Sequence, residues 1–214
     1  MEPDLNTKIF NRKRLELVAN SLSKNNFETK VFDDINSAIE YILSLVGENK
    51  KVGLGGSQSV VSLQLKEKLE KNKNSIITHH KEMSLSERKK VWLEAQKADF
   101  YFASPQAITL KGEMIFLDAY GNRVSSVIYG PGKVVLIVGY NKVVEDFNMA
   151  LGRCRNIAAV KNNIRLSKKN PCANTGKCED CNSKERICNV LTVLYKKPTY
   201  TDYVVILVNK ELGF

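Results

Sequence analysis

The sequence predicts an α/β fold: a mainly parallel sheet with helices on both faces, an inserted β-hairpin and a C-terminal cysteine-rich loop. Short apolar runs alternate with amphipathic helical runs along most of the chain, the rhythm of strands joined by crossover helices. Lys133-Val134-Val135-Leu136-Ile137-Val138-Gly139 is apolar almost throughout, as a strand covered on both faces must be. The segment Lys51–Val60 runs from an apolar strand through Gly53, Gly55 and Gly56 into a helix start, and in a sheet of this kind ligands sit off the carboxyl ends of the strands. One domain over residues 1–214 is expected, with an N-terminal helix within 1–26 and the cysteine loop, 168–190, as an appendage.

In chain order, residues 6–25 place Ile9, Phe10, Leu15, Val18 and Leu22 at helical spacing on a basic background. Glu28–Phe32 reads as a strand, and Asp33, Asp34 or Asn36 caps a helix that Gly47 stops. After the strand Lys51–Leu54, one helix is expected from Ser57 to Lys71. Ser75–His80 is strand-like, Ser84-Leu85-Ser86-Glu87 opens a helix, and Asp99–Ala103 is a short apolar strand followed by the loop Ser104–Thr109. Met114–Asp118 and Arg123–Tyr129, around Gly121-Asn122, read as the hairpin. Asn141 is expected to cap a long helix reaching Asn163, and Thr201–Val208 is the last strand.

Composition excludes some classes. The chain has 214 residues, 43% of them hydrophobic, and is long enough for a sizeable core. It contains no apolar run of the roughly 18 residues a membrane span needs. Its first residues lack a basic segment followed by an apolar one, so no secretory leader is expected and the protein reads as cytoplasmic. The formal charge of +10 is scattered as Lys pairs such as Lys50-Lys51 and Lys168-Lys169. That pattern fits a solvated surface, or attraction of small anions, better than a nucleic-acid face.

The glycine turn suits close approach of a ligand to the main chain, and the helix behind it suits an anion. It is neither a Walker loop nor a dinucleotide fingerprint. A tight connection that binds nothing is the competing reading. Arg123 is placed to clamp a carboxylate or phosphate with Asn122 orienting it, against a plain turn. Asp118 reads as a turn cap before a base. Cys172, Cys178, Cys181 and Cys188 follow the pattern Cys-x5-Cys-x2-Cys-x6-Cys. In a reducing compartment this suggests thiolate ligation, of zinc or an iron–sulfur cluster. A structural loop with free thiols and a redox pair remain open alternatives. Cys154 reads as core, and His79-His80 as a strand end or loop before a catalytic pair.

Gly55-Gly56-Ser57, Ala107-Ile108-Thr109, Gly121-Asn122-Arg123-Val124 leading to Gly130-Pro131, the helix from Asn141 through Arg153 to Ala158, and the run Pro171-Cys172 to Cys188-Asn189 together resemble the LUD-domain (lactate utilization) family, over nearly the whole chain. The resemblance implies a fold like that of ribose-phosphate isomerase, glucosamine-phosphate isomerase and the CoA-transferases. It also implies a role in or near oxidation of lactate to pyruvate, beside iron–sulfur partner proteins. It carries no catalytic residue over. Without the long ferredoxin-like extension of some members, an accessory subunit or a stand-alone relative is expected.

The leading expectation is a protein that binds a small anionic metabolite (a hydroxy or keto acid, a phosphosugar or a CoA ester) at Gly55, Gly56, Ser57 and Gln58, with Ser104, Asn122 and Arg123 completing the pocket. Whether it is an enzyme is left open. The second expectation is a non-enzymatic accessory subunit whose cysteine loop holds zinc or an iron–sulfur cluster and docks a redox partner. Nucleic-acid binding ranks third. A homo-oligomer is among the expectations.

Overall fold

The computed structural model describes residues 4–214; Met1–Pro3, at the start of the segment where no secretory leader is expected, lie outside them. A six-stranded sheet in the order β1-β10-β7-β4-β2-β3 organises the chain. Its strands are β1 (Glu28–Phe32), β2 (Lys51–Leu54), β3 (Ser75–Ile77), β4 (Phe100–Ala103), β7 (Lys133–Gly139) and β10 (Asp202–Val208). Every pairing in it is parallel, and the apolar β7 lies inside the sheet, between β10 and β4.

Alternate residues of the central strands enter two cores. Tyr101, Ala103, Val134, Leu136, Val205 and Leu207 pack with α1 (Leu5–Lys24), α5 (Leu85–Ala95) and α6 (Asn122–Ile128) on one face. Phe102, Val135, Ile137, Val204 and Ile206 pack on the other against α2 (Ile35–Val46), α3 (Gln58–Val61) and α4 (Leu65–Lys71). A strand buried on both faces has no use for polar alternation, which is why β7 and β10 are so uniformly apolar.

Local signals explain most element ends. Asp34 caps α2 through the Ser37 N–H, and Gly47 ends it at φ +68°. Ser84 and Glu87 form a full capping box on α5. The structure corrects four readings. The helix expected from Ser57 to Lys71 is two short helices, broken at Gln64, which adopts φ +51°. The long helix does not start at Asn141: Tyr140–Lys142 is a tight turn, and Asp146 caps α7 (Phe147–Arg153), which continues through a π-turn, Cys154–Ala158, into α8 (Ala159–Arg165).

The hairpin is present, but Arg123–Ile128 lies in α6. The partners are β5 (Ala107–Thr109), in what reads as a loop, and β6 (Met114–Asp118). The hairpin belongs to a second, four-stranded sheet in the order β8-β5-β6-β9, with β8 at Val143–Val144 and β9 at Val190–Leu194. One face of this sheet reaches α1 through Ile108, Met114 and Phe116. The other rests on Ala150, Cys154 and Ala159 of the long helix through Ala107, Ile115 and Leu117. Cys154 is core, as its position suggests.

Among the described residues no helix is long and apolar enough to cross a membrane.

Candidate functional site at the carboxyl edge of the sheet

The chain leaves the carboxyl ends of three adjacent strands, β2, β4 and β7, through Gly55–Ser59, Ser104–Gln106 and Tyr140–Lys142. These segments converge on one side chain. Lys142 is 3% exposed, and its Nζ donates to Ser59 Oγ and Ser104 Oγ, both at 2.8 Å, and to Pro105 O at 3.1 Å. Ser59 Oγ in turn donates to Leu212 O at 3.0 Å. Among the described residues no ion pair includes Lys142. Burial, then the nearby positive charges of Arg153 and Arg123, hold its amine well below the ordinary lysine range.

The two arginines differ in company. Arg123 Nε and Nη2 grip Asp118 Oδ1 at 2.9 and 2.8 Å. Its Nη1 donates to Ser104 O at 3.3 Å and its Nη2 to Leu117 O at 2.9 Å. Asp118 Oδ2 accepts the N–H groups of Arg123 and Val124, both at 3.1 Å. It therefore caps the start of α6, where the sequence reading has it cap a hairpin turn. Arg153 is buried, and its Nε donates to Asn141 O at 2.9 Å while Nη1 donates to Gln106 O. Among the described residues it is in no ion pair. The surface carboxylate of Glu211 acts on it only at longer range, and burial lowers its pKa. Beside it the Cys154 thiol is pushed up to about 12 by burial. The cluster thus holds Arg123, Lys142 and Arg153 against one carboxylate, Asp118.

The glycine turn lies against this cluster. A Cβ on Gly55 would overlap Tyr101 Oη and come within 3.4 Å of Arg123 Cγ; close approach is what requires glycine there. Gly56, at φ +70°, is exposed and faces His79 Cε1. Ser57 stands at the N-cap of α3 but makes no side-chain cap bond. A strap from Lys210 to Gly213 covers Ser59. Asn141, expected as a helix cap, ties this strap instead: its Oδ1 accepts Leu212 N–H at 3.1 Å and its Nδ2 donates to Gly213 O at 3.3 Å. Gly213 adopts φ +62°, and a Cβ there would lie 2.7 Å from Ser59 N.

Of the residues singled out from sequence, Gly55, Ser104 and Arg123 come together. Gly56, Ser57 and Gln58 follow on in the turn. Asn122 opens α6 and lines a separate cleft of about 280 Å³ with Trp92, Gln96, Tyr120 and Ser125. That cleft is linked to the turn by Trp92 Nε1, which donates to His79 Nδ1 at 3.2 Å. Lys142, Arg153 and Ser59 were not singled out as site residues. The available signal for Lys142 was its place just beyond the central strand.

The cysteine loop lies beside the π-turn. Cys172 is buried and Cys178, Cys181 and Cys188 are half-buried. Asn163 Nδ2 donates to Cys172 Sγ at 3.4 Å. Burial, and then the other three thiols, push the Cys172 thiol up, so the four share one neighbourhood. Arg155 reaches Cys178 and Arg186 reaches Cys188, and both pair with Asp180. As placed, no three His, Cys, Asp or Glu groups among the described residues are arranged to hold a metal ion.

Fold and site together define an α/β protein with a buried, positively charged cluster at the carboxyl edge of a parallel sheet. The chain belongs to the LUD-domain family, whose model matches residues 15–208. It is similar in structure to a DUF162 family protein from Deinococcus radiodurans, at 12% identity and a TM-score of 0.55, over 92% of this chain and 98% of that one. At that identity the likeness shows the fold alone. No curated protein matches.

Proposed function

We propose that this LUD-domain protein binds a small anionic metabolite at the carboxyl edge of its larger sheet, in a role connected with lactate utilization, as family membership supports in general. The observation that carries this is the imbalance of buried charge: Arg123 and Lys142 meet at Ser104 and Arg153 acts on Lys142 from beside it, with Asp118, among the described residues, as the only carboxylate held by the three. Buried charge without a partner is costly, and an anion bound there would offset it. Gly55 and Gly56 let such a guest near the main chain; Ser104 and Arg123 border the seat. A hydroxy or keto acid, a phosphosugar and a CoA ester are the substrate classes. The test is a thermal-shift series with lactate, pyruvate, sugar phosphates and acyl-CoA on the natural chain and on Arg153→Met. A rise in Tm with one class, diminished in the variant, supports the site. If no anion raises Tm, the site is refuted.

A second reading is favoured by the gathering of Cys172, Cys178, Cys181 and Cys188 with Arg155 and Arg186 around them. It makes the loop a zinc or iron–sulfur site that docks a redox partner, in a cytoplasmic accessory subunit. The thiols would have to close in to ligate a metal, because their present arrangement does not hold one. Metal analysis after anaerobic purification tests it: stoichiometric zinc or iron supports it, and four titratable thiols with neither metal refutes it. Nucleic-acid binding is the third reading, and steeply salt-dependent retention on DNA is its test.

A further inference from the structure

We propose that Lys142 is the reacting amine of this site, condensing with the carbonyl of a small oxo acid to form an imine while Ser59 and Ser104 relay protons. The proposal rests on the anion-site reading and names the substrate class and the chemistry within it.

The geometry separates Lys142 from an ordinary structural lysine. A lysine kept for stability reaches water or pairs with a carboxylate. Lys142 does neither: at 3% exposure it reaches two hydroxyls and a carbonyl. The charged groups around it are Arg153 and Arg123, with the protonated Cys154 thiol beside them. Asp118 is engaged by Arg123, and Glu211 lies on the surface. An amine buried beside other cations gives up its proton more readily than one in water, and the free amine is a nucleophile. The site then offers an amine for a carbonyl carbon and a residual positive field for a carboxylate. A ligand carrying both groups is an oxo acid.

The step balances without a further reactant. Nζ, which donates three bonds at rest, first gives up one proton; its lone pair then forms a bond to the carbonyl carbon, and the carbonyl oxygen takes up that proton to give a carbinolamine. Nitrogen gives up a second proton, the hydroxyl leaves with it as water, and the C=N bond forms as the protonated imine. Ser59 Oγ and Ser104 Oγ, each 2.8 Å from Nζ, stand within the reach that proton transfer needs. Entry requires the strap at Leu212–Gly213 to lift, and it is held over Ser59 by the Leu212 O and Gly213 O bonds.

The test is reductive trapping on the full chain. The protein is incubated with pyruvate and sodium cyanoborohydride, then read by intact mass and peptide mapping, with Lys142→Arg in parallel. The expected result is one reduced pyruvyl adduct, mapped to Lys142 and absent from the variant. Adducts spread over surface lysines, or none, overturn the proposal; should the variant fail to fold, the peptide map of the natural chain decides alone. If pyruvate raises Tm but leaves no adduct at Lys142, the imine falls and the anion site stands. If it does neither while another anion class raises Tm, the imine likewise falls alone, and if no anion does so, both fall.

Discussion

Arg123 and Asp118 close a fork at the entrance to α6: two guanidinium nitrogens sit within 2.9 Å of Asp118 Oδ1, and the other carboxylate oxygen accepts two backbone N–H groups. Their side chains are 13% and 8% exposed, so the pair is held away from water. Arg123 thereby positions Ser104, through its carbonyl, beside Lys142.

Removing one partner leaves the other buried and unpaired. Asp118→Ala is expected to destabilise the protein by about 3–5 kcal/mol, because it strands the guanidinium and frees the two N–H groups at the helix start. The urea midpoint should fall with the slope unchanged. The double variant Asp118→Ala/Arg123→Met should recover part of the loss. A loss under about 1 kcal/mol would place the pair among weak surface pairs.

Gly55 is fixed by contact rather than by backbone angle, since a Cβ there would overlap Tyr101 Oη. Tyr101 is 2% exposed, and its hydroxyl pKa is pushed up to about 12 by burial, so the ring lies inside the core. Gly55→Ala is expected to cost about 1–3 kcal/mol, the range for overpacking a filled core. In a Tyr101→Phe background, which removes the obstructing oxygen, the same substitution should cost clearly less. Equal costs in the two backgrounds would show that the oxygen is not the obstacle.

Lys142 makes stability depend on pH with a definite sign. Its folded pKa lies well below the ordinary value of 10.5, so between those two values the unfolded chain binds a proton that the folded chain does not. Stability contributed by this group therefore rises with pH across that window and is lost as pH falls through it. Comparing Lys142→Met with the natural chain by urea unfolding between neutral pH and pH ~10 should show a shallower rise in the variant. Parallel curves would mean that Lys142 titrates alike in both states.

The larger sheet was legible because its physics is local and periodic. A strand buried on both faces must be apolar where it is covered, and β7 beyond Lys133 and β10 beyond Asp202 are. Capping is equally local, so Asp34, Gly47, Ser84 and Glu87 mark their helix ends. The second sheet was hidden: β5 and β8 have three and two residues, and β9 pairs with β6 across a long separation in sequence. Arg123–Ile128 has the β-branched look of a strand, yet Asp118 caps it into a helix through a five-residue step. The site was half legible. Glycines and an arginine after strand ends announce themselves, but Lys142 depends on where Ser59, Ser104 and Pro105 arrive in space.

The single tryptophan of the chain gives an optical view of the turn. Trp92 Nε1 donates to His79 Nδ1 at 3.2 Å, and the rings meet edge to face at 5.6 Å. Burial, then Arg88 and His80, hold the His79 pKa below its ordinary 6.5. Only neutral imidazole accepts this bond; once protonated, both ring nitrogens are donors and the indole loses its acceptor. A protonated imidazole also quenches a neighbouring indole, so Trp92 fluorescence should fall on acidification, with a midpoint below 6.5. The sign for stability follows: with the folded pKa depressed, the contribution of His79 is complete above the unfolded value and is lost as pH drops from there through the folded one. His79→Gln should abolish the fluorescence transition. Because His79 Cε1 also faces Gly56, an anion that occupies the turn should raise the midpoint by favouring the imidazolium. A midpoint at or above 6.5 in the free protein, or one that no anion moves, would separate His79 from the site.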